Sequence, residues 1–526
     1  MPLINHYSHI KSCALLGIQG VLVDIEVSIL AGLPSFEIVG LGDSTVRESR
    51  NRVHAAIKNN GYAFPAGRII ASYAPAWLRK EGSAFDLPLA LAILAASGQL
   101  SLPDSLICAF GELSLTGDIR SVSGVICRAL TCRENKIDHL FVPTANHAEA
   151  CSVCPDSTLA VDHLQNAVAI LQEAVHTGRW PAAAMAAEAD EKNGRCARPA
   201  ADTPDIRQII GQEQAVRGLT IAAAGRHNLL MLGSPGCGKT SLAAVLPGLL
   251  PSLLPDEAMQ VTRIYSASGL MQDKAGMIRT RPFRAPHHAT TRAALIGGGS
   301  FPIPGEVSLA HLGVLFLDEM TEFRPEVLDL LRQPLEERLV RLVRLRQSMI
   351  YPADFMLVGA ANPCRCGEYL EHASSCRCSM EKVREHLNRL SGPLLDRMDL
   401  TVEMTRLPAG FLPASLQMVG NERPGSADVA VLVARCWQIQ FTRCETNGLA
   451  RALNGRLVSK NLAEDLLISP EAARFAAGSS SSLSLSVRSY QKVLRVARTI
   501  ADLDEASSVD VGHVAEALQF RFRWPA

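Results

Sequence analysis

The sequence predicts an α/β protein with three successive domains, and three observations support this prediction. Strand-like apolar runs alternate with helical patterns over residues 1–175, as in a compact α+β domain. Within residues 204–405, short apolar strands are separated by helical stretches, which is typical of an α/β core. From residue 426 to residue 526 the pattern is helical throughout.

Composition narrows the possible functions. A chain of 526 residues is too long for one core. Residues 176–203 lose apolar periodicity and are rich in Ala, Pro, Gly and charge, so we expect a linker there. Apolar residues make up 48% of the sequence and the formal net charge is zero. Any nucleic-acid binding must therefore come from a local basic patch.

We expect a cytoplasmic protein that does not enter a membrane. The N-terminal sequence lacks a charged segment followed by an apolar core, which a secretory signal would have. The most apolar run, residues 84–100, contains Asp86 and Pro88 and is shorter than a membrane span. It predicts a buried helix.

A phosphate-binding loop follows the first strand of the α/β core. The sequence GSPGCGKT matches the pattern G-x-x-x-x-G-K-[ST] between an apolar strand and a helix, a context that makes a plain glycine turn a weak alternative. In this pattern Lys239 reaches the β and γ phosphates of ATP and Thr240 offers its hydroxyl to Mg²⁺. The predicted nucleotide-binding residues are Gly233, Ser234, Pro235, Gly236, Cys237, Gly238, Lys239, Thr240 and Ser241.

Two later strands end in polar residues suited to ATP hydrolysis. The strand in GVLFLDEM ends at Asp318, which we expect beside Mg²⁺, and at Glu319, which we expect to activate the attacking water. The alternative is that these acids only cap the next helix. The strand in FMLVGAANP ends at Asn362, a neutral group suited to orienting that water.

Two arginines complete the predicted catalytic set. Arg397, in LSGPLLDRMDL, is a candidate arginine finger for the γ-phosphate of a neighbouring subunit, although a surface ion pair is the simpler alternative. Arg488, in SLSVRSYQKVL, is predicted to contact the nucleotide from the helical domain, in its own subunit or in a neighbour.

The ordered set of these motifs resembles the AAA+ ATPases, and longer segments resemble a narrower group. Residues 281–320 and 494–503 are similar to the magnesium-chelatase-like ATPases of the ComM/YifB type, as are VGLGDSTVRESRNRVHAAIKNNGYAFP and LRKEGSAFDLPLALAILAASGQL in the first domain. The resemblance implies an AAA+ P-loop core (204–405) with a C-terminal helical lid (426–526). It also implies a ring, expected to be a homo-hexamer, that uses ATP to move DNA and promotes branch migration during natural transformation.

The first domain also resembles the proteolytic domain of Lon-type proteases, over residues 111–150. Those enzymes use a Ser-Lys pair, in which a lysine activates the serine. Ser83 lies near the expected serine position, whereas Ile126 and Arg128 occupy the expected lysine positions, and arginine cannot act as a base. We therefore expect residues 1–175 to be a Lon-like domain without proteolytic activity.

A basic segment between the helix and the strand that precede Asn362 is the candidate DNA contact. Its arginines alternate in part with Leu and Val, which predicts a hairpin with one basic and one apolar face. A solvated charged hairpin is the alternative. The candidate residues are Arg338, Arg341, Arg344 and Arg346.

Two Cys-x-Cys pairs lie in an insert at residues 362–379 of the core. Cys364, Cys366, Cys376 and Cys378 form a set that a structural Zn²⁺ ion accepts in tetrahedral geometry, with His372 as a substitute ligand. A disulfide is disfavoured in the cytosol, and buried thiols are disfavoured by the polar neighbours. Cys151 and Cys154, near His147 and His163, form a weaker metal pattern.

Together these observations predict an ATP hydrolase with ATP and Mg²⁺ as cofactors and structural Zn²⁺ at the insert, and with branched or single-stranded DNA as partner. One alternative is a chelatase motor that drives metal insertion into a porphyrin, against which the Lon-like first domain argues. A Lon-like peptidase role is the second alternative, and a transcription-activating AAA+ protein is the third.

Overall fold

The structure is a computed structural model that describes residues 6–40, 44–78, 80, 82–181, 204–271, 276–299, 303–344, 347–371, 376–406, 423–483 and 485–522. These residues form two compact units. The first combines Met1–Arg198 with Pro255–Arg279, and the second combines Pro199–Leu254 with Thr280–Ala526.

Strands and helices are numbered along the chain. The strands are β1 Tyr7–Leu16, β2 Gln19–Leu30, β3 Ser35–Val39, β4 Arg68–Ala74, β5 Ile107–Ala109, β6 Glu112–Leu113, β7 Ile119–Arg120, β8 His139–Pro143, β9 Thr158–Val161, β10 Leu229–Gly233, β11 Phe283–Arg284, β12 Gly297–Gly298, β13 Ile303–Pro304, β14 Val314–Leu317, β15 Leu339–Arg344, β16 Gln347–Pro352, β17 Met356–Ala361 and β18 Leu400–Met404. The helices are α1 Ser44–Asn59, α2 Asp86–Ala96, α3 Val125–Glu134, α4 His147–Cys151, α5 Leu164–Thr177, α6 Glu213–Gly225, α7 Lys239–Leu249, α8 Pro255–Ala267, α9 Arg292–Ile296, α10 Glu306–Leu309, α11 Pro325–Asp329, α12 Arg332–Glu337, α13 Met380–Leu387, α14 Gly392–Leu395, α15 Ser426–Thr446, α16 Leu462–Asp465, α17 Pro470–Ser482, α18 Val487–Leu503 and α19 Val511–Gln519.

The first unit is built on a seven-stranded mixed sheet in the order β3-β4-β2-β1-β5-β8-β9. Helix α2 packs on this sheet and is buried along its whole length. Its single acid, Asp86, accepts hydrogen bonds from Arg52 Nε at 2.7 Å and from Ser49, and burial raises the pKa of its carboxyl group. The prediction of a buried helix at this run is confirmed. Among the described residues, no helix is long and apolar enough to cross a membrane.

Helix α8 belongs to the first unit, although the sequence assigned it to the ATPase core. Ser266 Oγ donates a hydrogen bond to Glu149 at 2.5 Å, and the Gly124 N–H donates to the Ser266 carbonyl at 2.8 Å. Met259 packs against the apolar cluster around α3. The apolar face of α8 thus finds its partner far away in sequence, which periodicity alone does not reveal.

The second unit is built on a five-stranded sheet in the order β11-β14-β17-β10-β18. All neighbouring strands in it are parallel. After β10 the chain crosses to β11 at the edge of the sheet and then returns through β14 to β17, which lies between β14 and β10. Because the strands are parallel, β10, β14 and β17 end at the same edge of the sheet, where α/β proteins bind their ligands.

The C-terminal helices share one apolar core with this sheet rather than forming a separate one. Trp437 Nε1 of α15 donates a hydrogen bond to the Ala223 carbonyl at 3.0 Å, and Gln440 Nε2 donates to Ala224 at 2.9 Å. Asp502 of α18 is fully buried and bonds Arg443 and Arg498. The predicted helical region is therefore present as part of the second unit.

Candidate active site

The phosphate loop begins where β10 ends and leads directly into α7. Gly236 and Gly238 adopt φ values of +79° and +95°, which glycine tolerates and other residues rarely do. Gly238 precedes the first residue of α7, Lys239. The loop N–H groups and the helix N-terminus thus meet at one place, which is an arrangement that binds phosphate.

Lys239 lies at the centre of this site. Its side chain is buried, and its ammonium group donates hydrogen bonds to the carbonyls of Gly233 at 2.7 Å and Ser234 at 3.0 Å. It also donates to Asn362 Oδ1 at 3.2 Å. Burial lowers the pKa of Lys239. The structure therefore brings together the loop lysine and the asparagine that ends β17, as the sequence predicted.

Asp318 and Thr240, the residues predicted to bind Mg²⁺, lie side by side. Thr240 Oγ1 donates a hydrogen bond to Asp318 Oδ2 at 2.7 Å. A hydroxyl and a carboxylate side by side are the oxygen donors that Mg²⁺ uses beside nucleotide phosphates. These two residues fit the predicted ion.

Glu319 is held in a strained position next to Asp318. It has φ of +48°, in the left-handed region, and its N–H donates to Asp318 Oδ1 at 2.9 Å. Its carboxylate Oε2 lies 3.4 Å from His288 Nδ1. A left-handed backbone at a non-glycine residue costs about 1–2 kcal/mol and is often found at functional sites.

His288 is a site residue that sequence reasoning missed. It lies in the irregular segment between β11 and α9, and its ring stacks at an angle on His287, 4.0 Å away between centroids. The pair of histidines lies inside the 281–320 segment but has no spacing motif of its own. We infer that His288 restrains the direction of the Glu319 carboxylate.

A cavity of about 400 Å³ lies beside the phosphate loop. Thr240, Ser241 and Ala244 line it from α7, and Gln208 and Ile209 line it from the segment that enters the second unit. The predicted nucleotide residues did not include this segment, since it has no recognisable motif. Its position next to Thr240 suits the nucleoside end of a bound nucleotide.

Arg397 and Arg488 lie together, away from the phosphate loop of their own chain. Both guanidinium groups contact Glu336 Oε1, Arg488 Nη1 at 3.1 Å. Burial tends to raise the pKa of Glu336, but the hydrogen bond from Arg488 and the charge of Arg397 lower it overall. Sequence reasoning did not predict that these two arginines share one acid.

The backbone contacts of Arg397 show at which edge of the sheet the pair lies. Its carbonyl accepts a hydrogen bond from Asn228 Nδ2 at 2.8 Å, and Asn228 immediately precedes β10. Arg397 therefore lies at the amino-terminal edge of the sheet, whereas the phosphate loop lies at the carboxyl-terminal edge. A five-residue strand such as β10 separates the two edges by about 16 Å.

The four predicted metal-binding cysteines meet in one cluster. Their sulfur atoms all lie within 4.8 Å of one another, and the measured pairs among Cys364, Cys366, Cys376 and Cys378 are 3.3–3.9 Å apart. Four sulfurs bound at ~2.3 Å to one tetrahedral Zn²⁺ would be separated by ~3.8 Å. Hydrogen bonding from the Glu368 N–H helps lower the pKa of Cys366 to about 6, which favours the thiolate that binds metal. The donor set fits zinc; His372 lies outside the described residues.

The cysteine loop rests on the phosphate loop. Gly367 has φ of +81°, and a Cβ added to it would lie 2.3 Å from Pro235 Cδ. Arg406 ties the two loops together, since its Nε donates to the Pro235 carbonyl at 3.1 Å and its Nη1 lies 2.8 Å from Glu368 Oε1. The cysteine loop thus contacts the phosphate loop directly.

Among the arginines predicted to contact DNA, the side chains of Arg338 and Arg341 are described and lie in different settings. β15 and β16 pair as an antiparallel hairpin, and Arg341 is exposed on it, 3.3 Å from a glutamate of α12. Arg338 precedes the hairpin, and its guanidinium donates to the Arg456 carbonyl at 2.9 Å. Arg344 is the last residue of β15, and Arg346 lies outside the described residues.

In the first unit, the Lon-like serine does not meet a lysine. Ser83 Oγ donates a hydrogen bond to the carboxylate of Glu112. Arg128 is buried and lies over the Phe110 ring at 5.6 Å, and Ile126 is a core residue. The hydroxyl of Ser83 is thus paired with a carboxylate, and the two expected lysine positions are buried core residues.

Within the part of the chain that the structure describes, Cys151 and Cys154 of the first unit do not assemble a metal site. Cys151 Sγ lies 3.2 Å from His147 Nε2, but Cys154 Sγ donates to the Ala129 carbonyl. His163 instead caps α5 by accepting a hydrogen bond from the Gln165 N–H.

Comparison with known proteins identifies the family. Residues 205–411 match the family described as magnesium chelatase, subunit ChlI, and residues 423–521 match its C-terminal family. Competence protein ComM of Haemophilus influenzae is 42% identical over 517 residues, 97% of this chain and 97% of that protein. Uncharacterized protein YifB of Salmonella typhimurium is 41% identical over 512 residues, 97% and 96% of the two chains. The chain belongs to the ComM/YifB family of magnesium-chelatase-like proteins.

Membership of the ComM/YifB family confirms the resemblance seen in the motifs and supports an AAA+-like core. Lon protease 2 of Bacillus subtilis is 28% identical over 208 residues, 34% of this chain and 36% of that protease, which is a partial likeness only. Residues 25–146 match the family described as subunit ChlI of Mg-chelatase. The first domain therefore argues less strongly against a chelatase than the sequence suggested.

The contact between the two loops predicts that Gly367→Ala weakens nucleotide binding. The new Cβ would need the space of Pro235 and would leave a non-glycine residue in the left-handed region, so we expect roughly tenfold weaker ATP binding. Titration with a fluorescent ATP analogue measures this. Gly448→Ala is the matched control, because φ there is +63° and a Cβ meets nothing within 4 Å. Equal affinities in the two variants would show that the contact between the two loops does not support nucleotide binding.

Proposed function

We propose that this protein is a ring-forming ATP hydrolase that moves DNA and promotes branch migration of recombination intermediates during natural transformation. The observation that carries the proposal is the joint placement of Lys239, Asn362, Thr240, Asp318 and Glu319 at one sheet edge. The DNA part rests on the relative named competence protein ComM and on what the family resemblance implies.

In the proposed reaction, each residue of this edge has a separate task. Lys239 and the loop N–H groups bind the β and γ phosphates, and Lys239 exchanges its present carbonyl partners for phosphate oxygens. Thr240 and Asp318 hold Mg²⁺, which supplies positive charge to the phosphates. Asn362 orients the attacking water, and Glu319 accepts its proton while His288 limits where the carboxylate can point.

The proposed assembly is a homo-hexameric ring in which Arg397 and Arg488 act on a neighbour's ATP. Both lie at the sheet edge opposite to their own phosphate loop, so a second subunit is needed to bring them to a γ-phosphate. In a ring, each subunit would present its phosphate loop to one neighbour and its two arginines to the other. We propose that Glu336 holds the two guanidinium groups until a neighbouring nucleotide competes for them.

A chelatase motor is the second candidate, because the matched families carry the magnesium chelatase name. Both functions would use the same nucleotide site. They differ in the partner, which is DNA for the motor and a porphyrin-carrying protein for the chelatase.

The DNA proposal predicts ATP-dependent strand displacement from a three-strand junction, and Glu319→Gln should remove it. Loss of a general base lowers hydrolysis by about 10²–10⁴-fold, while ATP binding should persist. Gel analysis of labelled strands and a coupled ATPase assay measure both effects. Glu326→Gln, the same change at an exposed acid of α11, should leave both activities intact. Wild-type ATPase activity without any displacement or DNA stimulation would favour the chelatase.

Action of Arg397 across an interface predicts complementation between inactive variants. Arg397→Ala subunits keep an intact phosphate loop, and Lys239→Ala subunits keep an intact Arg397. Mixed rings should therefore regain part of the ATPase activity that each variant lacks alone. A mixture of Lys239→Ala with Glu319→Gln provides the control, since neither subunit type contains a complete cis site. Equal activity of the two mixtures would contradict the trans assignment.

We further propose that the four-cysteine cluster holds a structural Zn²⁺. Protein purified without chelators should contain about one zinc per chain, and Cys364→Ser/Cys376→Ser should lose it. Elemental analysis measures the content. Cys151→Ser, a change at a cysteine of the first unit, should retain the metal. Zinc-free wild-type protein would end this proposal.

A further inference from the structure

Lys492 of α18 is a buried cation that no step of the proposed reaction uses. It follows Arg488 by four residues, so the two side chains leave the same face of the helix. Its side chain is 11% exposed, and burial lowers the pKa of its ammonium group. A buried ammonium group is costly unless hydrogen bonds and opposite charges compensate it. The partners of Lys492 therefore indicate its role.

These partners are the two carbonyl groups on either side of Arg397. Lys492 Nζ donates a hydrogen bond to the carbonyl oxygen of Met398 at 2.9 Å and another to the carbonyl oxygen of Asp396. The carboxylate of Asp396 lies 3.9 Å away. Lys492 thus bonds the backbone immediately before and immediately after the candidate arginine finger.

A second side chain holds the carbonyl between these two. Asn228 Nδ2 donates a hydrogen bond to the carbonyl of Arg397 at 2.8 Å. The three consecutive carbonyls of residues 396–398, the finger segment, are therefore bonded by side chains from the start of β10 and from α18. The finger segment lies between α14 and β18 and belongs to neither a helix nor a strand. Side chains thus take part in fixing its backbone.

The charges around Lys492 show what an apolar side chain could not supply. Burial and the positive charges of Arg488 and Arg397 lower the pKa of Lys492, whereas the charges of Asp399 and Asp396 raise it. An apolar side chain of similar volume would avoid the cost of burial and the repulsion from the two guanidinium groups. It would leave two carbonyls of the finger segment without their hydrogen bonds to α18.

We propose that Lys492 is a positioning residue that holds the finger segment so that Arg397 reaches the γ-phosphate of a neighbouring subunit. The proposal rests on the action of Arg397 across an interface proposed above. Because Lys492 and Arg488 share α18, this helix carries one of the two arginines and fixes the backbone of the other. Both arginines therefore approach the neighbour's nucleotide as one unit, with Glu336 between them.

The first test is the steady-state ATPase activity of full-length Lys492→Met, which keeps the apolar chain and removes the donors. Misplacement of a group by about 1 Å can cost about 10²-fold in rate, so kcat should fall about 10–100-fold. The KM for ATP should stay near the wild-type value, because the phosphate loop of the same subunit is intact. Lys492→Arg retains donors and should keep more activity than Lys492→Met. Lys460→Met, the same change at an exposed lysine, should have wild-type kcat and KM.

Mixed rings show on which nucleotide Lys492 acts. Lys492→Met with Lys239→Ala should regain ATPase activity, because an intact finger from a neighbour can reach each intact phosphate loop. Lys492→Met with Arg397→Ala should show only the average of the two variants, since every finger in that ring is displaced or absent. The reverse pattern would show that Lys492 acts on the ATP of its own subunit and would overturn the inference.

A wild-type kcat in Lys492→Met would also overturn the inference. So would a loss of activity that neither mixture restores, since Lys492 would then serve only the fold, and the melting midpoint of the variant would record that loss. The mixture of Arg397→Ala with Lys239→Ala separates the two proposals. Without recovery there, the trans action of Arg397 and this inference both fail, whereas recovery there without recovery of Lys492→Met refutes this inference alone.

Discussion

The parallel alignment of β10, β14 and β17 is the constraint on which the site depends. Each strand ends with a chemically distinct group, and only parallel strands place all three ends at one edge. The insertion of β17 between the other two brings Asn362 against Lys239 and leaves Asp318 within reach of Thr240. A change in strand order would separate these pairs while leaving every motif in the sequence intact.

The length of the same strands separates the site from its two arginines. The hydrogen bond between Asn228 and the Arg397 carbonyl places Arg397 at the beginning of β10, and Lys239 lies beyond the end of that strand. Within one chain, the sheet itself therefore keeps the positive charge of Arg397 and Arg488 from the phosphate loop. Glu336 compensates these charges locally, and the hydrogen bond from Arg488 and the charge of Arg397 outweigh burial and lower the pKa of Glu336. If Arg397 and Arg488 act on ATP as proposed, hydrolysis would depend on the assembly of subunits.

Sequence reasoning succeeded where a local pattern determines the position of a side chain. The phosphate loop, the strand-end residues and the cysteine set each have a spacing that encodes their geometry, and Asp318, Asn362 and Cys364 lie where the pattern predicts. It failed where the partner is distant in sequence. Helix α8 packs in the first unit, and α15 and α18 share the core of the ATPase sheet. Hydrophobic periodicity shows that a helix has a buried face, but it does not show which distant segment that face contacts, as in the contact of Trp437 with Ala223. His288 was missed because it lies in an irregular segment.

The cysteine loop makes contacts with the candidate active site that the binding of a metal ion alone would not require. Gly367 packs on Pro235 on one side, and the next segment carries His386 to the Asn362 carbonyl on the other. The loop and the segment after it therefore contact both the predicted phosphate-binding loop and Asn362, which is predicted to orient the water. Its own conformation depends on the gathered sulfur atoms, which also hold Arg365 and Arg377 beside α13. Displacement of this loop would therefore also displace the phosphate loop, so a bound nucleotide would favour the ordered arrangement of both loops.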